Sequence, residues 1–333
     1  MKALLKLLLL VVFMLPVPPA MAWDSVSHRL SAAVALDFLS ADKRALLLRI
    51  LRQHPRFDAD FLAQVPGFID AGDDQQMAAW LLGQAAYWPD IARGLPAAEA
   101  EKYNRPTWHY IDGAWVRDAA SMQGNSYIGV ARFDDIGGED GAAIRSEGQV
   151  HNIVTALDYN TLVLADAGRP MPERAVALCW VLHLMADIHQ PLHAGSLFSA
   201  EVFKRGDRGG NGVRTDAGNL HARWDRALGA AGLVETLPII LQRLSAPAPP
   251  KIQGVESDWS QWLAESRQLL LRDVYTDVMK QEIAAADRTR RRLRPLTLSA
   301  DYVARMQEIA RQRIGLAGLR LAIWFENELA ASP

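Results

Sequence analysis

The chain has 333 residues, half of them hydrophobic, with 36 basic against 38 acidic side chains and one cysteine, Cys179. This slightly acidic balance excludes nucleic-acid binding through a broad cationic surface, and a lone cysteine excludes an internal disulfide, so the fold must rest on its apolar core. Contact with a polyanion has to be local, at a charged cleft.

Residues 1–22 read as a secretory signal peptide. Lys2 and Lys6 precede an apolar run from Leu7 to Leu15, then Pro16 to Pro19 and the small-residue site Ala20-Met-Ala22. The run is too short for a membrane span. Cleavage after Ala22 is expected to give an exported protein, periplasmic or secreted, that starts at Trp23. Loss of the two lysines moves its formal charge from −2 to −4. The new α-amine, with its own carbonyl, can chelate a metal, and His28 lies five residues on.

Apolar residues at helical spacing predict helices over 27–39, 40–53, 75–87, 147–165, 172–188, 219–228, 259–276 and 299–329. Strand-like alternation is rare, so the expected fold is mainly α, with residues 23–333 forming one domain. Loops are expected at 112–140, 203–218 and the proline segment 246–250. The cluster Arg288 to Arg294 reads as a solvated helix end, with polyanion contact the secondary reading.

Histidine and aspartate recur at spacings that suit a metal. His183 with Asp187, and His221 with Asp225, are four residues apart, so each pair projects from one helical face, and His193 lies between the pairs. Imidazole and carboxylate together are zinc-ligand chemistry, and two such claws suggest more than one metal. Asp90, followed by Arg93, and His109, among aromatics, are weaker candidates: the first has the position of a turn residue, the second of a packed polar group. His189 is six residues past His183 and points away from the claw. His54 and His151 read as structural or exposed, Cys179 as a buried small hydrophobe, Asn219 as the cap of the helix bearing His221, and Asn211 as a turn residue or a loop-orienting one.

The ordered set Trp23, His28, Trp88-Pro-Asp90, His109-Tyr-Ile-Asp112, His183-x3-Asp187-x5-His193, Gly206-Asp-Arg-Gly-Gly-Asn211 and Asn219-Leu-His221-x3-Asp225 resembles the zinc-dependent, single-strand-specific nucleases of fungi and plants. Those enzymes and their bacterial relatives are also 3′-nucleotidases, in a superfamily shared with zinc phospholipase C. The resemblance implies three Zn²⁺: one on Asp90, His109, His183 and Asp187; one on His193, His221 and Asp225; and one on the amine and carbonyl of Trp23, His28 and Asp187. It also implies in-line attack on phosphorus by zinc-activated water, oriented by Asp90, with Arg93 neutralising charge on the phosphoryl oxygens and no protein nucleophile. Tyr110 and Asp112 take the positions that stack and hydrogen-bond a base. The expected substrates are single-stranded DNA or RNA and 3′-nucleotides, the products 5′-phosphates, and the protein a monomer without membrane insertion after processing.

The chain departs from that pattern in a short 206–219 segment, the absence of paired cysteines and a long glycine-rich stretch over 112–148. A phospholipase C-like phosphodiesterase and a non-catalytic zinc-binding protein are the competing readings. Asp225 weighs against the first, because the phospholipases carry glutamate there, and Arg93 against the second.

Overall fold

The computed structural model describes residues 23–111, 125–129, 152–245 and 259–329. The fold is mainly α. Its first half contains α1 (Ser25–Phe38), α2 (Ala41–Leu51), the short α3 (Phe57–Asp60), α4 (Asp74–Ile91) and α5 (Ala97–Tyr103). Then come α6 (Ile153–Ala165), α7 (Met171–Asp187), α8 (Leu220–Asp225), α9 (Gly232–Leu244), α10 (Trp259–Leu269), α11 (Asp277–Thr289) and α12 (Ala300–Glu328). Strands among the described residues are confined to a parallel pair, β1 (Ser126–Ile128) with β2 (Leu197–Ser199), and an antiparallel pair, β3 (Arg214–Thr215) with β4 (Gly218–Asn219).

Local chemistry explains where the helices start. Asp24, Ser40, Asp73, Asn219, Thr276 and Ser299 each accept a backbone N–H of the first turn, and Asn152 with Thr155 forms a reciprocal capping box. Helix α7 lies at the centre: every residue from Ala177 to Asp187 is buried, as expected for a helix that is apolar almost all round. It packs on α4 and α6, and α1 bridges α4 to α12.

Several expectations change. The helix expected to stop at Tyr87 runs to Ile91 through Pro89. Pro89 lacks the N–H that would bond the Ala85 carbonyl, but the surrounding turn is buried, and packing outweighs the lost bond. The helix expected over 259–276 ends at Leu269 and passes into a π-helical turn over Leu270–Val274. Helices α9 and α11 were not anticipated: Pro238 interrupts the pattern of one and charged residues thin that of the other. His54 is buried, packed edge-on against Trp88. Residues 1–22, Asp112 and His151 lie outside the described residues. Among the described residues, no helix is long and apolar enough to cross a membrane.

Candidate metal centre

Five separate segments converge at the lower end of α7. His183 and Asp187 occupy its last two turns, His193 the 3-10 turn beyond it, His28 the first turn of α1, Asp90 the last turn of α4, His109 a 3-10 turn, and His221 with Asp225 the single helix α8. All eight side chains are buried. They form three sets whose donor atoms lie within 4.8 Å of one another: His28, Asp90 and His183; His109, His183 and Asp187; His193, His221 and Asp225.

Asp187 is the hub. Its Oδ2 lies 3.0 Å from His183 Nε2 and 3.1 Å from His109 Nδ1, while Oδ1 lies 3.5 Å from both His28 Nε2 and His193 Nδ1. At the other end, Asp225 Oδ2 is 3.4 Å from His221 Nε2 and Oδ1 is 3.8 Å from His193 Nε2. Zinc–ligand bonds of about 2.0–2.1 Å put tetrahedral donor atoms about 3.3 Å apart, so these separations suit a small cation.

The rings are held by backbone carbonyls. His183 Nδ1 donates to Ala86 O at 2.8 Å and His221 Nδ1 to Gly209 O at 2.6 Å, which leaves each Nε2 as a lone-pair donor facing its aspartate. Ala86 O lies beside the proline-bearing turn of α4. Gly209 adopts φ +58, and a Cβ there would meet Leu192 O at 2.3 Å, so only glycine brings this carbonyl under the imidazole. The turn carrying His193 is tied from outside as well: Ser266 Oγ donates to Ile188 O, Arg313 Nε to His189 O and Arg267 Nε to Ala194 O.

Electrostatics points the same way. Burial works to raise the Asp187 carboxyl, yet His183, His193 and His109 hold it well below the usual carboxylate range. Burial pushes Asp225 well above that range, and the Gln190 hydrogen bond opposes this only partly. Asp90 is also raised by burial, with His183 and Arg93 opposing. Burial drives His28 and His109 well below the ordinary imidazole value, and lowers His193. For His183 burial lowers the value, but Asp187 and Asp90 outweigh it and raise the imidazole. Burial thus works against the charged forms of Asp90, Asp225, His28, His109 and His193, and only Asp187 is shifted toward its carboxylate by its imidazole neighbours.

The unmet bonding capacity is concentrated here. Both ring nitrogens of His28, both oxygens of Asp90, His109 Nε2, Asp187 Oδ1, His193 Nδ1 and Asp225 Oδ2 are buried without a hydrogen-bond partner. Arg93 Nη2 approaches Asp90 Oδ1 at 2.8 Å as an ion pair. Each unsatisfied buried polar group costs about 1–3 kcal/mol, so such a cluster persists where a bound cation takes up the lone pairs. This donor set fits zinc.

Residues 23–330 match the family model described as S1/P1 nuclease. The chain belongs to the S1/P1 nuclease family. It is similar to Endonuclease 2 of Arabidopsis thaliana, 28% identical over 226 residues that cover 64% of this chain and 68% of the relative. Endonuclease 4 of the same plant is 30% identical over 169 residues, covering 47% of this chain and 52% of the relative. The chain therefore spans about half the length of that second relative. Family and relatives make this mainly α protein a nuclease, with His/Asp clusters suited to metal.

Within this S1/P1 nuclease the remaining candidates are placed as follows. Trp23 is buried, its indole Nε1 donating to Ala186 O at 3.0 Å, and the next residue, Asp24, donates its N–H to Asp225 O at 3.1 Å. Tyr110 follows His109 directly and is half-buried, its carbonyl accepting from Ile153 N. His189 faces away from the cluster: its Nδ1 donates to Met185 O and its Nε2 accepts from Arg320. Asn219 caps α8 through Ala222 N. Sequence reasoning missed Gln190. Fully buried, it accepts from Leu192 N at 2.5 Å and donates to Asp225 Oδ1 at 2.8 Å, linking the His193 turn to a carboxylate of α8. Its only sequence signal was an amide standing between two ligands.

Proposed function

We propose that this S1/P1 nuclease is a zinc-dependent phosphodiesterase acting on single-stranded DNA and RNA, leaving 5′-phosphates, with 3′-nucleotidase activity at the same site. The observation that carries the reading is the convergence of five chain segments on three buried His/Asp sets, two of them sharing His183, with unmet lone pairs. Asp90, His109, His183 and Asp187 would hold one zinc, His193, His221 and Asp225 a second, and Trp23, His28 and Asp187 a third. Zinc held there supplies Lewis acidity toward phosphoryl oxygens and lowers the pKa of water to about 7.

The chain's own residues do the rest. Asp90 places an anionic oxygen among His28 and His183, where it accepts and orients a proton of the attacking water. Arg93, one helical turn on and largely buried, keeps its guanidinium at Asp90 and presents positive charge where phosphoryl charge grows in the transition state. Tyr110 offers a ring for one base, which single strands expose and duplexes do not; such stacking contributes on the order of 1–3 kcal/mol with little sequence preference. Asp112 is the proposed hydrogen-bonding partner of that base.

Residues 1–22 are proposed to be removed on export to the periplasm or medium, and residues 23–333 to act as one monomeric nuclease domain. The family match begins at Trp23, in keeping with this reading. The experiment is metal analysis of the processed protein alongside hydrolysis of single-stranded DNA, duplex DNA, RNA, a 3′-mononucleotide and phosphatidylcholine. About three zinc per chain and release of acid-soluble nucleotides from single strands are expected. Asp187→Asn, which removes the hub, is expected to reduce both. Full activity in a zinc-free preparation, or turnover confined to the lipid, would overturn the proposal.

A further inference from the structure

The described surface has two arginine-rich clefts, and they differ in one respect. The larger, about 570 Å³, lies among α9, α10 and α12, and each of its arginines already has a carboxylate partner, though two of those carboxylates are shared. Arg313 and Arg320 pair with Glu265, Arg243 and Arg311 with Glu308, and Arg272 with Asp273. The smaller, about 370 Å³, lies where α11 ends, and Arg214, Arg290, Arg291 and Arg292 line it beside Glu201. Arg290 reaches Glu201 only at 3.9 Å. Among the described residues, no carboxylate lies within the 4.0 Å ion-pair distance of Arg214, Arg291 or Arg292. In a chain of net charge −2, this cleft gathers, among the described residues, three arginines without a carboxylate in ion-pair reach and a fourth at the limit of it.

The backbone builds the cleft and joins it to the metal centre. Arg290 closes α11 in the left-handed region, φ +51, a place usually taken by glycine, and turns the chain sharply. Just before it, the buried carboxylate of Asp287 accepts from Glu201 N and Val202 N at 2.8 and 2.9 Å. Just after it, Leu296 exchanges backbone hydrogen bonds with Arg214 O and Asp216 N. The arginine segment is therefore clamped to the loop over 200–216. Gly212, on the cleft wall, is three residues from Gly209, whose carbonyl holds His221. Three residues of chain span at most about 11 Å, so the cleft lies beside the His193–His221–Asp225 end of the metal centre.

We infer that the cleft formed by Arg214, Arg290, Arg291 and Arg292 binds the phosphodiester backbone of a single-stranded nucleic acid that extends beyond the bond being cut. The inference rests on the nuclease reading for its partner. It assigns to this S1/P1 nuclease a binding track outside the metal centre that holds long strands and leaves dinucleotides untouched. Guanidinium groups suit it because they grip phosphate oxygens in pairs and stay charged at any working pH. Backbone contacts of this kind are sequence-independent and act through counterion release.

The test compares the full-length processed protein, metal-loaded, with an Arg214→Gln/Arg291→Gln/Arg292→Gln variant. Arg290 is left intact to preserve the turn and its contact with Glu201. The probe is a fluorescein-labelled oligothymidylate with phosphorothioate linkages, titrated by anisotropy at several salt concentrations. Removing three phosphate contacts is expected to weaken binding about 10- to 100-fold and to flatten the slope of log K against log salt by about 2. KM for a long single strand should rise in parallel, with dinucleotide hydrolysis unchanged. Wild-type affinity and slope in the variant would overturn the inference, as would a cleft that binds phosphatidylglycerol vesicles and not the oligonucleotide. A protein that binds the strand through these arginines but hydrolyses no phosphodiester would refute the proposed function while upholding the track.

Discussion

A single methyl group added at Gly209 tests how the second half of the metal centre is held. Gly209 sits at φ +58, where an L side chain costs about 1–2 kcal/mol before any contact is considered. The Cβ of Gly209→Ala would lie 2.3 Å from Leu192 O, in the peptide unit that leads into His193, and 3.5 Å from His221 Nδ1. Backbone cannot approach that closely, so the loop has to retreat by roughly 1 Å, well beyond ordinary packing tolerance. Retreat breaks the 2.6 Å bond from His221 Nδ1 to Gly209 O and shifts His193 together with it. Loss of such an outer-shell partner lowers metal affinity about 10- to 100-fold, or about 1.4–2.8 kcal/mol. Zinc titration against a chromophoric chelator should therefore show one site weakened by that amount, with the sites built on Asp187 retained. Gly67→Ala is the control, because a Cβ there meets nothing within 4 Å. If Gly209→Ala binds all its zinc as tightly as wild type, the carbonyl does not orient His221 and the account of this half-site is wrong.

Three further outcomes are expected. Arg93→Ala should keep its metal and lose turnover, since its charge is needed most as charge builds on phosphorus; equal kcat in metal-matched wild type and variant would refute this. Burial lowers His54 from an ordinary 6.5 to about 3, so the unfolded chain binds more protons between those values and stability rises with pH across that window. In metal-free protein, urea unfolding at pH 7.5 and pH 5 should show about 2 kcal/mol less pH dependence for His54→Leu than for wild type, whereas equal dependence would mean that the imidazole is protonated in place. A chain with one extra residue ahead of Trp23 presents an amide in place of an amine, and should hold about one zinc fewer and lose most phosphodiesterase activity, recovering both on trimming. Indistinguishable zinc content and turnover in the two forms would leave Trp23 as an apolar residue packed on Ala186.

What the sequence determined by itself is local. Four-residue spacing places His183 over Asp187 and His221 over Asp225 as soon as either segment is helical, because 3.6 residues per turn bring i and i+4 to one face. Cap residues mark helix starts for an equally local reason: Asn219 was readable as one in one dimension, whereas the Asp24 cap was missed and the first helix starts two residues earlier than its spacing suggested. The ordered motifs carried the family. Tertiary structure decided everything that joins distant segments. Asp90 had the sequence of a turn residue, and became part of the cluster because packing carried α4 through Pro89 for one more turn. His28 and His183 are far apart in sequence, yet their rings stack 3.8 Å apart because α1 packs across α4 and α7. The carbonyls of Ala86 and Gly209 carry no side-chain signature at all, and Gln190 looks like any turn amide until α8 brings Asp225 against it. The arginines after α11 read as solvated because charge patterning along a chain records neighbours in sequence; whether carboxylates surround them in space is settled only when the helices and the 200–216 loop are packed together.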